Sequence, residues 1–314
     1  MRRARRPLLL PLVAAVLLLA TACGAERADT TGGVGAASPA PRTRVTDPPV
    51  DGVRITSVTI PSASPTPTVT ESPWLVHADR LPTSGISAAY EVTNDGTEAL
   101  TYTVVLAFTT SDGQVMGNQR ETVRDVGPGR TVRGSVELDV LAPGASRVTA
   151  VKVAQVTKVP ADEAPAEAGA CPSSGIRVTA DRGDAAMGLR VVGLHLENCG
   201  KKDYTLDGYP ELSLLDADLE PVDGVRILRG GDGIATGTGL DDPPRPLTLK
   251  PGETAVSGLA WRNTTEAGLE AVTVPHVRVR AKAGAAPVTI TPRLDLGTTG
   301  KLGVGAWQRA EPRS

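Results

Sequence analysis

The sequence predicts an all-β fold made of two tandem antiparallel β-sandwiches. Short stretches that alternate apolar and polar residues recur along the chain, with turn signals about every 8 to 12 residues. No window of comparable length has its apolar residues at helical spacing, and similar motifs follow one another in the same order in both halves. Together these observations favour paired sheets over a helical or mixed fold.

The first half contains two strands with strict alternation, and each should place one face in a core. Asn94 to Gly96 and Ser111 to Gly113 follow these strands and supply residues suited to tight turns. Two further strands follow turns with a Pro-Gly pair, at residues 128–129 and 143–144. The predicted core positions of the first two strands are Ile86, Ala88, Tyr90 and Val92, then Tyr102, Val104, Leu106 and Phe108.

The second half repeats this plan with an insertion. Its segment GLRVVGLHLENCG corresponds to GISAAYEVTNDG, which aligns Asn198 with Asn94, and LKPGETAVSGLAW corresponds to VGPGRTVRGSVEL. The insertion is mostly the glycine-rich stretch 229–246. Later strands are predicted in HVRVRA, PVTITP and KLGVGAW.

Composition shifts divide the chain into five segments. We predict a signal peptide at 1–22, a lipidated cysteine with a disordered linker at 23–50, and a first sandwich at 51–158 with a Pro-rich loop at 61–73. A linker at 159–170 then leads to a second sandwich at 171–312. The linkers are rich in Gly, Ala, Ser, Thr and Pro, and such segments bury too little apolar surface to offset their ordering entropy.

The N-terminus predicts export. Four of the first six residues are arginines, and an apolar run of about 12 residues follows, too short to span a bilayer. Leu19 to Ala22 before Cys23 and Gly24 resembles the lipobox of bacterial lipoproteins. That resemblance implies lipidation of Cys23 and a location on the extracytoplasmic face of the cell membrane, with the lipid anchor binding the membrane. Arg5-Arg6 also resembles a twin-arginine signal, so both the general and the twin-arginine export routes stay open.

The second half resembles an exported family. Cys171-Pro172 at a domain start, Asn198-Cys199 at a strand end, Gly208-Tyr209-Pro210, Pro251-Gly252 and Trp261 together are similar to domain of unknown function 4232 of actinobacterial lipoproteins. The abundance of Arg, Ala and Gly also fits a GC-rich actinobacterial genome. The resemblance implies an immunoglobulin-like sandwich with a disulfide between Cys171 and Cys199, and it brings no established activity.

The three cysteines fit this interpretation. Lipidation of Cys23 would leave Cys171 and Cys199 as a pair in an oxidising compartment, where a disulfide is far more common than a nucleophilic thiol. A nucleophile would need a base, and the three histidines, His77, His195 and His276, show no paired spacing.

No cofactor or metal site is predicted. Asp216, Asp218 and Glu220 begin like a calcium loop, but Pro221 stands where the glycine is needed, so a hairpin is favoured over an irregular calcium site with Asp223. The glycine-rich 229–239 stretch lacks the residues of a phosphate-binding loop. A net charge of -2 and 3% aromatic residues argue against nucleic acid as a partner.

Three function classes follow from this. The first is a non-enzymatic, lipid-anchored binding or scaffold protein for an envelope protein, wall polymer or small ligand. Long loops on a rigid sandwich usually carry recognition, so the insertion is the candidate, or else it is disordered and without function. The second is an envelope hydrolase or transferase, which would need a Ser or Asp close to His195 in a pocket. The third, a transporter's solute receptor, requires α/β lobes and is disfavoured. The candidate recognition residues are Arg229, Asp232, Asp241, Asp242 and Arg245.

Overall fold

A computed structural model describes residues 41–61 and 84–310 of the protein. The described residues are all-β, and their only helical segment is one 3-10 turn, Ala161–Glu163. No helix within them is long and apolar enough to cross a bilayer. The predicted signal peptide, Cys23, His77 and residues 62–73 of the Pro-rich loop lie outside the described residues.

Seven strands form two sheets in the first half. One sheet has the order β1-β2-β3-β6 and the other β5-β4-β7, and all pairings are antiparallel. The strands are β1 Arg42–Arg44, β2 Val53–Thr59, β3 Ser87–Thr93, β4 Leu100–Thr109, β5 Val115–Val126, β6 Thr131–Glu137 and β7 Ala150–Pro160. Side chains from both sheets meet in one hydrophobic cluster, which includes every predicted core position of β4 and of the strand before it.

Fourteen shorter strands follow in the second half. They are β8 Ile176–Ala180, β9 Asp184–Ala186, β10 Leu189–Asn198, β11 Tyr204–Leu206, β12 Glu211–Leu215, β13 Arg226–Arg229, β14 Leu247–Leu249, β15 Thr254–Arg262, β16 Thr273–Val274, β17 His276–Arg280, β18 Pro287–Ile290, β19 Leu294–Asp295, β20 Lys301–Val304 and β21 Gln308–Arg309. The largest sheet has the path β13-β20-β15-β10-β8, with β21 beside β15 and β9 beside β10. β13 and β20 are parallel, which departs from the purely antiparallel prediction.

A second hydrophobic cluster fills this half. It joins the inner face of the seven-stranded sheet to β12, β17 and β18 and contains both Trp261 and Trp307. Trp307 is almost fully buried, and its indole Nε1 donates to the carbonyl of Ala281 at 2.9 Å. This cluster shares no residue with the first one, so each half has its own core.

Two segments are more ordered than the sequence predicts. β1 lies within the predicted disordered linker 23–50, where Arg42 to Arg44 pair with Ser57 to Thr59 of β2. β7 continues into the predicted linker 159–170, and Glu163 beyond it accepts hydrogen bonds from Arg278 at 2.7 Å and Thr289 at 2.6 Å. Backbone pairing orders β1, and partly buried side-chain hydrogen bonds hold Glu163, although the composition of both segments indicates a linker.

Candidate functional site

A groove lies on the outer face of the seven-stranded sheet of the second half. It has a volume of about 1120 Å³ and is bounded on one side by residues 166–169. The sheet contributes outward side chains of β8, β10, β15 and β21, since alternate residues of a strand face opposite sides. The lining residues that carry polar side chains are Glu167, Arg177, Thr179, His195, Glu197, Glu253, Thr254 and Arg309.

Ion pairs hold the charged side chains of this groove. Arg177 on β8 pairs with Glu197 on the neighbouring strand β10, and Arg309 pairs with Glu253 at 2.6 Å. Glu253 also accepts the Lys250 amide at 2.7 Å, and that bond, followed by the bond from Arg309, lowers the pKa of its carboxyl. The third lining acid, Glu167, pairs with Arg124 outside the groove at 2.9 Å, so each of the three carboxylates has an arginine partner.

An Asp-His pair lies at the edge of the groove. His195 Nε2 is 3.5 Å from Asp181 Oδ2, and both side chains are about half exposed. Asp181 Oδ1 accepts the amides of Gly183 at 2.8 Å and Gly193 at 2.9 Å, which fixes the carboxylate. The hydroxyls in the groove are those of Thr179 and Thr254. No hydroxyl among the described residues hydrogen-bonds His195.

The predicted disulfide is present. Cys171 and Cys199 are joined, with their Cα atoms 5.7 Å apart. Cys171 precedes β8 and Cys199 follows β10, and these two strands pair within one sheet. The disulfide therefore joins the ends of two neighbouring strands of a single sheet.

Asn198, next to Cys199, organises the corner where β10 ends. The side chain is buried, and its Nδ2 donates to the carbonyls of Lys202 and Leu249 at 2.8 Å each. Its Oδ1 accepts the Gly200 amide at 3.2 Å. The Asn198 backbone carbonyl accepts the Gly252 amide at 2.7 Å, which ties in the Pro251-Gly252 turn. We call this arrangement the asparagine corner of the second half.

The first half has the same corner around Asn94. Its Nδ2 donates to the carbonyls of Glu98 and Val126 at 2.7 Å each, and its Oδ1 accepts the Gly96 amide at 2.9 Å. The Gly129 amide donates to the Asn94 backbone carbonyl at 2.7 Å, just as the Gly252 amide donates to the Asn198 carbonyl. Each hydrogen bond given above for Asn198 thus has an equivalent at Asn94, as the internal repeat predicts.

The remaining motif residues have structural contacts. Gly208 has φ of +86°, which favours glycine, and its carbonyl accepts the Trp307 amide at 2.9 Å. Tyr209 is half-buried under the Arg229 guanidinium, 5.3 Å from its ring centre, and Pro210 is buried. Trp261 Nε1 donates to Asp295 Oδ1 at 2.7 Å. Burial opposes ionisation of Asp295, but hydrogen bonds from Trp261 and Asn263 leave its pKa lowered.

The comparison with known families agrees with these motif positions. Residues 171–308 match the family model described as Domain of unknown function (DUF4232). The second half of the chain carries a DUF4232 domain. No curated protein matches the chain.

The insertion of the DUF4232 domain folds back onto its own sheet. Asp241 Oδ1 accepts the amides of Gly231 at 2.6 Å and Asp232 at 2.9 Å, and these bonds, in that order, lower the pKa of Asp241. Leu240 lies directly over Gly258, where its Cδ2 is 2.8 Å from the position that a Cβ would occupy. The alternative of a disordered insertion therefore does not describe this segment.

The five predicted recognition residues have different surroundings. Asp241 holds the loop backbone, and Arg229 lies over Tyr209. Asp232, Asp242 and Arg245 are exposed, and none of them lines the large groove.

The Asp216 segment is a hairpin in the DUF4232 domain. Asp216 Oδ1 accepts the amides of Asp218 and Glu220 at 2.9 Å each, and the Asp216 amide donates to the Glu220 carbonyl at 2.9 Å. The carboxylate thus stabilises the turn. Among residues 41–61 and 84–310, no group of three or more acidic, histidine or cysteine side chains is placed to bind a metal ion.

Sequence reasoning missed most of the groove. The sequence offers His195 as a candidate but does not point to Arg177 on β8, to Asp181 directly after β8, or to Arg309 on β21. These residues meet His195 only because β8 pairs with β10, and β21 pairs with β15 in the same sheet. The sequence does contain a signal for Asn94: its alignment with Asn198 in the internal repeat predicts that the two asparagines have the same structural role.

Proposed function

We propose that the protein is a lipid-anchored protein of the extracytoplasmic face of the cell membrane, from an actinobacterial source. Its two β-sandwich domains, immunoglobulin-like in the second half, bind a ligand without catalysis. The lipobox at Leu19 to Cys23 supports the anchor, and the disulfide suits an oxidising compartment.

The groove of about 1120 Å³ carries the proposal of binding. Its volume is slightly above the roughly 300 to 1,000 Å³ that is usual for ligand sites, so it has room for a small ligand or a short chain segment. Paired side chains such as Arg309 and Glu253 offer both donors and acceptors without a net charge. A protein segment, a wall polymer or a small polar ligand could make hydrogen bonds there.

Site-specific photocrosslinking in intact cells tests the groove. A crosslinking residue at Thr254, which lines the groove, should give an adduct that the same residue at Ser213 does not give. Ser213 is a matched control because it is also exposed but lies on β12, in the other sheet. Adducts of equal intensity at both positions, or at neither, would contradict binding in the groove.

The anchor has its own test. A fatty-acid analogue should label the wild-type chain and fail to label Cys23→Ala. Equal labelling of both chains would remove the anchor from the proposal, whatever the crosslinking shows.

A hydrolase or transferase is the second candidate, and the Asp181 and His195 pair is the observation that favours it. A carboxylate that orients a histidine is part of many nucleophilic sites, in which the histidine activates a hydroxyl or thiol. Thr179 on β8 is paired directly with His195 on β10, and its hydroxyl is therefore the candidate nucleophile.

Hydrolysis of a panel of esters and amides by the purified chain tests this candidate. Activity that disappears in both His195→Ala and Thr179→Val would establish it. Activity that survives both substitutions, or its absence from the wild-type chain, would exclude this pair as a catalytic centre and leave the binding proposal in place.

A further inference from the structure

Four arginines share the outer face of the sheet β1-β2-β3-β6. Arg42 and Arg44 lie on β1 opposite Thr59 and Ser57 of β2, and Arg54, Glu91 and Arg133 face one another on β2, β3 and β6. We call Arg42, Arg44, Arg54 and Arg133 the arginine face. The sequence gives no hint of this cluster because its members come from three separate strands.

Glu91 lies beneath the guanidinium groups. It accepts from Arg54 at 2.7 Å and from Arg133 at 2.8 Å, and its side chain is 15% exposed, against 51% for Arg54 and 80% for Arg133. Arg54 uses one Nη2 bond and Arg133 one Nε bond here. Each guanidinium has five N–H donors, so both keep donors that Glu91 does not use.

Arg42 and Arg44 add charge that is not neutralised. Within the described parts of the chain, neither forms an ion pair, and both are exposed. The outward positions of the four strands also include the acid Glu137. Four arginines against two glutamates give this face a net charge of +2, whereas the whole chain carries -2.

A groove crosses the arginine face. It has a volume of about 620 Å³ and is lined by Arg42, Arg44 and Arg54 together with Thr46, Thr56 and Ser57. Glu91 also lines it, and its carboxylate is already paired with Arg54 and Arg133. Guanidinium groups bind phosphate oxygens through short charge-assisted bonds. The Ser57 hydroxyl can add a further donor, whereas the Thr56 hydroxyl donates to the Ala89 carbonyl. The chemistry of the groove is that of a site for phosphate esters.

The position of β1 selects the source of the phosphate. Arg42 follows Cys23 after 18 intervening residues, which reach at most about 65 Å when fully extended. Because β1 is the part of the sheet nearest in sequence to the anchor, lipid headgroups are the phosphates that this face meets at the highest local concentration.

We propose that the arginine face binds anionic phospholipid headgroups and thereby holds the first sandwich against the membrane. This inference rests on the proposed lipid anchor for its location, but the binding itself requires no lipidation. Each arginine near an anionic membrane surface contributes to binding, and the contributions fall with salt.

Vesicle co-sedimentation of the mature chain with Cys23→Ala, which cannot carry a lipid, tests the proposal. We expect binding to vesicles of phosphatidylglycerol and phosphatidylcholine, weak or no binding to phosphatidylcholine alone, and a steady decline between low and physiological salt. The substitutions Arg42→Ala and Arg44→Ala together should weaken binding to the anionic vesicles about tenfold or more.

The control is Arg120→Ala with Lys152→Ala, which makes the same change in net charge. Both residues are exposed on β5 and β7, in the opposite sheet of the first sandwich. Equal weakening by the control pair would overturn the proposal, because binding would then follow net charge and not this face. Absence of vesicle binding, or binding only to an isolated anionic wall polymer, would overturn it as well.

Failure of this inference and failure of the anchor are separable. Fatty-acid labelling of Cys23 reports the anchor alone, and vesicle binding by the unlipidated chain reports the arginine face alone.

Discussion

The two halves of the molecule stabilise the same asparagine corner by different means. The first half relies on long strands, since β4, β5 and β7 have 10, 12 and 11 residues. In the second half only β10 and β15 approach that length, and the other strands have two to five residues. The second half adds a disulfide beside its corner, where the first half has Asp95 after Asn94.

This difference shows how a repeat can diverge around a fixed element. Continuous ladders supply many cooperative backbone hydrogen bonds, whereas short strands leave more chain in loops whose entropy must be restricted in another way. The disulfide restricts the loop of the second half directly. The corner itself has kept its hydrogen bonds in both halves.

The largest effect is expected from removing the disulfide. In the chain-entropy model, replacing both Cys171 and Cys199 with Ala lowers the free energy of unfolding of the second half by about 3.5 kcal/mol, because the crosslink spans 28 residues. Hydrogen exchange resolved by mass spectrometry should show faster opening in peptides of the second half and unchanged exchange in the first. Equal acceleration in both halves would mean that the halves do not unfold separately.

The asparagine corners should be equivalent. Asn94→Ala and Asn198→Ala each leave two carbonyls without their amide partner, and each should cost about 3 kcal/mol of unfolding free energy in its own half. Denaturant unfolding with hydrogen exchange measures both losses. Asn118→Ala, an exposed asparagine of β5, is the control and should change little. If only one of the two substitutions lowers the free energy of unfolding, the two asparagine corners are not equivalent.

His276 should make only the second half sensitive to mild acid. Burial lowers the pKa of His276, although Asp216 opposes this effect, and His276 Nδ1 has no partner among the described residues. The unfolded chain then binds a proton more readily than the folded one, so stability present above about pH 6.5 falls as the pH decreases.

The decrease attributable to His276 cannot exceed about 1.4 kcal/mol per pH unit. It is measured by denaturant unfolding between pH 7.5 and 5. His276→Leu removes the titrating ring, so it should abolish this pH dependence while changing the free energy of unfolding at pH 7.5 only slightly. A slope that persists in the variant would assign it to another group.

The smallest effect concerns the insertion, which the first half lacks. Asp241→Ala should speed exchange at the amides of Gly231 and Asp232 without a measurable change in Tm. Asp242→Ala removes a neighbouring exposed acid and is the matched control. If both variants behave alike, the carboxylate of Asp241 does not order the loop.

Strands with one apolar face were predictable, and strands without one were not. The alternation in residues 86–93 and 101–108 predicts β3 and β4, and their apolar positions are indeed in the core. The sequence does not predict β5, because much of this strand is exposed and residues Gly117 to Glu121 include no large apolar side chain. Its register comes from pairing with β4, which is a property of the neighbouring strand.

The sequence by itself determined the all-β class, the repeated order of motifs and the pair of cysteines available for a disulfide, because these depend on local alternation, turn residues and counting. Only the tertiary structure decided which charges share a surface. The groove beside His195 and the arginine face each combine residues from three or more strands, and pairing register brings them together. A side chain's position along the chain indicates its face, whereas its neighbours on that face depend on which strands lie beside it.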